Sequence, residues 1–201
     1  IDLITDRLKT CKKIDSICVA TTTNDEDKII NDHFSGTDIK VFRGSDWNVL
    51  DRVIKAAQLM KAEIIVEITG DCPFVDPQLV DYMLDLLHNN NVDYIANNFA
   101  TSFADGFDVQ VYYFDVLVRM AEMTLSYLER EHVTMKIRQN PGLFRTLNLV
   151  APIQLRRPNY SITLDTYEDY QVVQNVYEAM DRNFGTNYGV VEITIKNRNA
   201  A

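Results

Sequence analysis

The sequence predicts an α/β fold built on a largely parallel sheet with helices on both faces. Two observations carry this reading. Short, β-prone apolar runs alternate with stretches that keep their apolar residues on one helical face. Polar residues then collect just after the strands, at Thr21, Thr22, Thr23, Arg43, Ser45, Asp46, Thr69, Asp71, Asn97, Asn98 and Asp165. Open α/β sheets bind their ligands at the carboxyl ends of strands.

The chain opens on an amphipathic helix, in which Ile1, Ile4, Leu8 and Cys11 recur at steps of three and four. Ser16 to Ala20 reads as a buried strand, and Asn24 as the cap of a helix whose first turn is Asp25-Glu26-Asp27. Ile39 to Phe42 is a second strand. A loop at Arg43 to Asp46 leads into a helix with Val49, Leu50, Val53, Ile54 and Ala57 on one face. Ile64 to Ile68 is the clearest strand and stops at Thr69-Gly70-Asp71-Cys72-Pro73.

Asp76-Pro77 marks a helix start, with Asp as cap and Pro at the first helical position. That helix should bury Leu79, Val80, Met83, Leu84 and Leu87. Val92 to Ala96 is a strand, and a polar loop runs from Asn97 to Asp108. Val109 to Phe114 is the next strand, after which Asp115 caps a helix to about Met123. Glu129 to Arg138 is expected to be one helix ending before Pro141. Phe144 to Val150 and Ile162 to Leu164 read as strands. Asp165-Thr166 opens a helix from Tyr167 to about Phe184, and Tyr188 to Lys196 fits strand or helix. No repeat or linker interrupts the 201 residues, so one domain is expected.

Composition narrows the function. Hydrophobic residues make up 46% and charged residues 24%, with a formal net charge of -9. Apart from Arg156-Arg157 no basic cluster offsets that charge, which argues against a nucleic-acid partner. A small anionic substrate would need Mg²⁺ or a few placed Arg and Lys side chains. Cys11, Cys18 and Cys72 form no CxxC pair, and with three His residues they point away from disulfides or structural zinc and toward reduced thiols in a cytoplasm. No apolar run approaches the ~20 residues that span a bilayer.

Asp71 and Asp165 each end an apolar strand and precede a helix start. If those strands lie near each other, both carboxylates face one cleft. Such hard oxygen ligands suit Mg²⁺, which takes one or two carboxylates together with phosphate oxygens. Phosphoryl-type transfer asks for positioning and charge neutralisation above all. Both aspartates read equally well as plain helix caps. Glu129-Arg130-Glu131-His132 places Arg130 and His132 where they could hold an anionic substrate, or simply solvate a helix face. Asp105-Gly106-Phe107-Asp108 also fits an ordinary turn.

Seven blocks in order then resemble one family. They are Val19-Ala20-Thr21-Thr22, Val41-Phe42-Arg43-Gly44-Ser45, Val49-Leu50-Asp51-Arg52, Ile68-Thr69-Gly70-Asp71-Cys72-Pro73, Asp105-Gly106-Phe107-Asp108-Val109, Glu129-Arg130-Glu131-His132-Val133-Thr134, and Leu164-Asp165-Thr166 with Glu168-Asp169. They look like the spore-coat polysaccharide biosynthesis protein F family, a cytidylyltransferase branch related to the CMP-3-deoxy-manno-octulosonate and CMP-acylneuraminate synthetases. The resemblance implies a Rossmann-like three-layer sandwich of the nucleotide-diphospho-sugar transferase (glycosyltransferase-A-like) type, with a mostly parallel mixed sheet. It implies transfer of CMP from CTP to a small acidic acceptor, with release of pyrophosphate. Asp71 and Asp165 match the family's Mg²⁺ ligands. Thr21, Thr22, Arg43, Ser45, Thr69 and Gly70 would line the nucleotide pocket, and Asp105, Asp108, Arg130 and His132 the acceptor side. The related synthetases are often homodimers, so a homodimer is possible. Thr69 stands where the octulosonate enzymes carry a cytosine-reading Gln, which leaves base selectivity open.

The resemblance also implies a strand and a triphosphate-cradling loop of the type Gln-Ala-Arg-x-x-Ser-x-Arg-Leu-Pro-Gly-Lys before the first helix. The 201 residues start at that helix. The expectation is therefore a domain lacking its first strand and phosphate loop, with an apolar slot for which Val190 to Ile195 is the alternative filler, and with little or no turnover by these residues alone. A glycosyltransferase using Asp25-Glu26-Asp27 as a metal motif and a non-catalytic binding domain are the competing readings.

Overall fold

In the computed structural model, residues 1–123 and 125–180 are described. The helices are α1 (Asp2–Leu8), α2 (Lys28–His33), α3 (Val49–Met60), α4 (Pro77–Asn89), α5 (Phe114–Ala121), α6 (Tyr127–Glu131), α7 (Met135–Gln139) and α8 (Tyr167–Ala179). The strands are β1 (Cys18–Thr22), β2 (Lys40–Gly44), β3 (Ile64–Glu67), β4 (Tyr94–Ala96), β5 (Gln110–Tyr113) and β6 (Thr146–Asn148). Val190 to Ile195 lies outside the described residues.

The strands form two ladders. β1 and β2 pair in parallel, with Thr21 opposite Arg43. The other ladder has the order β3-β5-β4-β6. β5 runs antiparallel to both β3 and β4, while β4 and β6 are parallel. Hence β3, β4 and β6 share a direction and β5 alone runs against them. The expected parallel bias is thus weaker in the hydrogen-bonding pattern than the strand-helix alternation suggested. The reason is the connection. Residues 97–109 return from β4 to β5 as a loop with no helix, and parallel neighbours need a crossover. Among the described residues, β1 and β3 each carry a ladder on one edge only, and Ile64, Ile65 and Val66 are half-buried.

Strand alternation divides the core. Ile95 and Val111 face one way, against Ile4 and Leu8 of α1, Val80, Met83, Leu84 and Leu87 of α4, and Val173 and Val176 of α8. Tyr94, Ala96 and Tyr112 face the other way, against Leu50 of α3, Val116, Leu117 and Met120 of α5, and Ile137 of α7. The five residues expected on the buried face of α4 are all buried. Asp76 caps that helix, accepting from the N–H groups of Gln78 (2.8 Å) and Leu79 (3.4 Å), with Pro77 in the first turn.

Several expected details differ. Asp25 to Asp27 form a 3₁₀ turn, and the Asn24 side chain makes no capping bond. The cap position of α5 is Tyr113, so Asp115 lies inside the first turn. The single helix expected over Glu129 to Arg138 is two helices. Ser126 and Glu129 form a capping box that starts α6 before Glu129, and His132 leaves helical geometry and ends it. Ile162 to Leu164 form no strand beyond an isolated bridge between Asp105 and Ser161. The cap of α8 is Thr166, which shares a capping box with Asp169, and Met180 is already extended. Among the described residues no helix is long and apolar enough to cross a membrane.

Candidate active site

The strand ends gather three segments. After β3 the chain turns through residues 69–72, where the Cys72 N–H donates to the Thr69 carbonyl at 3.2 Å. Helix α1 braces the residues that follow. Its fully buried Arg7 donates from Nε to the Val75 carbonyl at 2.6 Å. The second segment is the turn 105–108, and the third is the stretch 160–165 before α8. The Asp105 N–H donates to the Tyr160 carbonyl, and the Ile162 N–H to the Asp105 carbonyl, both at 2.9 Å. The Leu164 N–H donates to the Asp71 carbonyl, also at 2.9 Å.

Gly106 makes this convergence possible. Its φ is +95°, and a Cβ there would lie 2.9 Å from the Ile162 carbonyl carbon. Only glycine combines that conformation with so close an approach.

Backbone contacts therefore bring the chain around Asp71 and the chain leading into Asp165 side by side, with the 105–108 turn against the same stretch. Asp108 is half-buried and accepts from the Asn98 amide at 2.8 Å. Burial raises its pKa, and the charges of Asp105 and Asp71 raise it further, while the Asn98 bond acts the other way. Burial, with the charges of Asp71 and Asp108, pushes the Cys72 thiol up to about 12, so it is a neutral neighbour at pH 7 and no nucleophile. Asp71 and Asp108 thus share one local field. Among the described residues no three His, Cys, Asp or Glu side chains form a ready metal cage. A carboxylate set of this kind fits Mg²⁺, whose remaining ligands come from phosphate and water. Gly70 has open space where a side chain would project.

At the ends of β1 and β2, Thr21 is buried and lies opposite Arg43. The Arg43 guanidinium donates from Nε to the Thr22 carbonyl (2.9 Å) and from Nη2 to the Asn24 carbonyl (2.6 Å). It shapes the loop after β1. The Thr22 hydroxyl and N–H both donate to Asp27, which ties that carboxylate to the loop. Ser45 accepts from the Asn48 N–H at 3.0 Å, at the start of α3.

Arg130 lies in the last turn of α6 and His132 at its C-cap. Helix α6 packs on α3 and α7, and among the described residues no hydrogen bond or ion pair joins either side chain to Asp71, Asp105 or Asp108. Glu129 beside them is structural, bonded to Ser126 and paired with Lys136 at 3.0 Å. Sequence reasoning missed a buried polar group on the sheet face below α7. Tyr94 and Thr134 hydroxyls meet at Gln110 Oε1, and the Tyr112 hydroxyl donates to Glu67. Arg138, on α7, exerts its charge on Glu67, Tyr94 and Asp108. The only sequence signal was alternation of polar and apolar residues in β4 and β5, which reads as solvent exposure.

An open cleft of about 580 Å³ lies at the other end of the strands, lined by Asp93, Tyr113, Asp115, Val116, Arg119, Leu143 and Arg145. It sits where β4 and β6 begin, away from the carboxylates. Its arginines are engaged: Arg145 donates to Asp93 from Nη2 at 2.6 Å and from Nε at 3.1 Å, and Arg119 lies 3.6 Å from Asp93. Arg145 holds the Asp93 carboxyl below its ordinary value. The cleft is thus held by an ion pair network centred on Asp93.

Comparison with known proteins agrees with the geometry. The cytidylyltransferase family profile matches residues 1–188. Spore coat polysaccharide biosynthesis protein SpsF of Bacillus subtilis is 33% identical over 189 residues, covering 94% of this chain and 77% of that protein. A cytidylyltransferase of Leptospira borgpetersenii superposes with a TM-score of 0.90 at 27% identity, over 98% of this chain and 83% of that one. CMP:2-keto-3-deoxy-manno-octonic acid synthetase, solved in complex with CTP, has the same fold, with a TM-score of 0.60 at 14% identity over 89% and 87% of the two chains. These neighbours are of the nucleotide-diphospho-sugar transferase type expected from the motifs. The chain belongs to the cytidylyltransferase family and is a nucleotidyltransferase.

Proposed function

We propose that this protein transfers CMP from CTP to a sugar acid, releasing pyrophosphate, and that its product feeds surface polysaccharide synthesis. The observation that carries the reading is the convergence of segments 69–72, 105–108 and 160–165 at the strand ends, which gathers Asp71, Asp108 and the chain entering Asp165. The relatives supply the chemical class: one acts in spore coat polysaccharide biosynthesis by its name, and another is a CMP-sugar acid synthetase complexed with CTP.

In this reading an acceptor hydroxyl oxygen attacks the α-phosphorus of CTP. The bond from that phosphorus to the bridging oxygen breaks, pyrophosphate leaves with the electron pair, and the acceptor hydroxyl's proton passes to solvent. Asp71 and Asp165 would hold Mg²⁺, which supplies charge neutralisation on the phosphates. The Thr21–Thr22 and Arg43–Ser45 loops form the nucleotide wall, stiffened by the Arg43 bonds to two carbonyls. Gly70 lets the ligand approach the backbone after β3. Asp105 and Asp108 face the acceptor. Arg130 and His132 would join them on the acceptor side.

The test is pyrophosphate release by the intact gene product with CTP, Mg²⁺ and a panel of sugar acids. Acceptor-dependent release with a CMP-linked product supports the proposal. Release of free nucleoside diphosphate from a sugar nucleotide, with none from CTP, would replace it with glycosyl transfer.

A further inference from the structure

Arg52 sits where helix chemistry disfavours it. It closes the first turn of α3, the end of a helix whose partial positive charge repels a cation. It is half-buried, and among the described residues it makes no ion pair, while its Nε is buried without a partner. What the guanidinium holds is backbone. Nη1 donates to the Ser45 carbonyl at 2.7 Å, with the Asp46 carbonyl at 3.4 Å. The stem takes part as well. A Cβ on Gly44 would lie 3.0 Å from Arg52 Cγ and 2.8 Å from Phe42 Cε1, so the Gly44 backbone is wedged between the two side chains. The Gly44 carbonyl in turn accepts from the Thr23 N–H at 3.0 Å, which joins the loop after β2 to the loop after β1. The Arg43 bonds to the Thr22 and Asn24 carbonyls add two more ties to that joint.

A brace for the helix start alone needs no arginine at this position. The Asn48 side chain already caps α3, accepting from the Asp51 N–H at 3.1 Å, and Ser45 Oγ accepts from the Asn48 N–H at 3.0 Å. An arginine added there, against the dipole and with one N–H unmet, costs stability. Local rules are broken in this way chiefly where function is served. The service readable here is rigidity. One side chain fixes two successive carbonyls of the loop after β2 and, through Gly44, its contact with the loop after β1. A wall held in its binding shape spares the ligand the entropy of ordering it.

We propose that Arg52 is a positioning residue for the nucleotide: it locks residues 44–46 so that the loops after β1 and β2 present one preformed wall to CTP. It acts through the backbone it grips and not by touching the substrate. This rests on the CMP-transfer reading above and names the residue that shapes its nucleotide wall.

The experiment uses the intact protein with Arg52→Met, Arg52→Lys and Gly44→Ala, and two readouts that need no acceptor. Calorimetry measures CTP binding in the presence of Mg²⁺. Acrylamide quenching reads Trp47, the sole tryptophan of the 201 residues, which follows Asp46 and stacks on Tyr127 at 6.3 Å between ring centres. Arg52→Met is expected to weaken CTP binding about tenfold and to raise Trp47 quenching in the free protein. Arg52→Lys should recover part of both, since it keeps the charge and loses the guanidinium fork. Gly44→Ala forces the backbone off Arg52 and should reproduce the CTP loss; combined with Arg52→Met, the two losses should not add. Equal CTP affinity and equal quenching in wild type and Arg52→Met would overturn the assignment and leave CMP transfer standing. So would a lower Tm with both signals unchanged, which marks a stability brace alone. A CTP loss with Trp47 unchanged would mean action by charge and not through the loop, and would also overturn it. A wild type that binds no CTP overturns both readings. Should Arg52→Met fail to fold, Arg52→Lys and Gly44→Ala decide by the same two measurements.

Discussion

Gly106→Ala is the sharpest perturbation of this architecture. At φ +95° an L side chain is strained, which costs about 1–3 kcal/mol. The added Cβ would also lie 2.9 Å from both the Ile162 carbonyl carbon and its Cγ2, and 3.0 Å from the Thr163 nitrogen. Two of those atoms are backbone, so relief requires the 105–108 turn and the 160–165 stretch to part, at a further cost of about 1–3 kcal/mol by analogy with overpacked cores. Loss of glycine's freedom in the unfolded chain returns about 0.4–1 kcal/mol. The net expectation is about 1.5–5 kcal/mol of destabilisation, or a Tm lower by about 5–15 °C for a chain of this size. Urea unfolding followed by circular dichroism reads the first quantity and a thermal scan the second. Because the same movement separates Asp108 from the chain entering Asp165, kcat/KM should fall by more than the folded fraction does. A variant within about 0.5 kcal/mol of wild type, with normal turnover, would refute the close packing inferred at this turn.

Two further substitutions probe single devices. Thr166→Ala removes the hydroxyl that accepts from the Asp169 N–H at 3.2 Å, and should cost about 1 kcal/mol in urea unfolding; a change below about 0.3 kcal/mol would mean the capping box does not hold the start of α8. Glu129 accepts from the Ser126 N–H and hydroxyl and pairs with Lys136, which together hold its carboxyl down at about 2. Its folded value lies below the unfolded value of about 4.3, so its stabilisation is complete above that pH and is lost as pH falls toward about 2. Thermal scans of wild type and Glu129→Gln should therefore differ near neutrality and converge by about pH 2; a constant difference across that window would contradict the assignment.

The parts of the fold that were legible in the sequence are those fixed by neighbouring residues. Asp76-Pro77 and the five apolar residues behind it define α4 without help from the rest of the chain. The Ser126–Glu129 capping box was equally local, yet the polar run at Glu129 to His132 drew attention one turn too late and hid the break between α6 and α7. The reversed direction of β5 depends on which strand lies beside which, and apolar β-prone runs carry no direction. The site divides the same way. Strand-end logic pointed to the chain after β3, where Asp71 lies, while the stretch before Asp165 comes beside it through backbone bonds and not as a strand. It also named Asn98 as a polar group after a strand. It could not find the buried polar group around Gln110, which forms only when the Tyr94 and Thr134 hydroxyls meet across the fold.

The central claim is that Asp71 and Asp165 act together on one cation and one nucleotide. Calorimetry of CTP binding to the intact protein, with and without Mg²⁺, across wild type, Asp71→Asn, Asp165→Asn and the double variant, tests it directly. The account predicts that either single change removes most of the Mg²⁺-dependent gain and that the second adds little, a coupling of about 0.5–3 kcal/mol. Losses that simply add, or a Mg²⁺ effect that survives in the double variant, would contradict it.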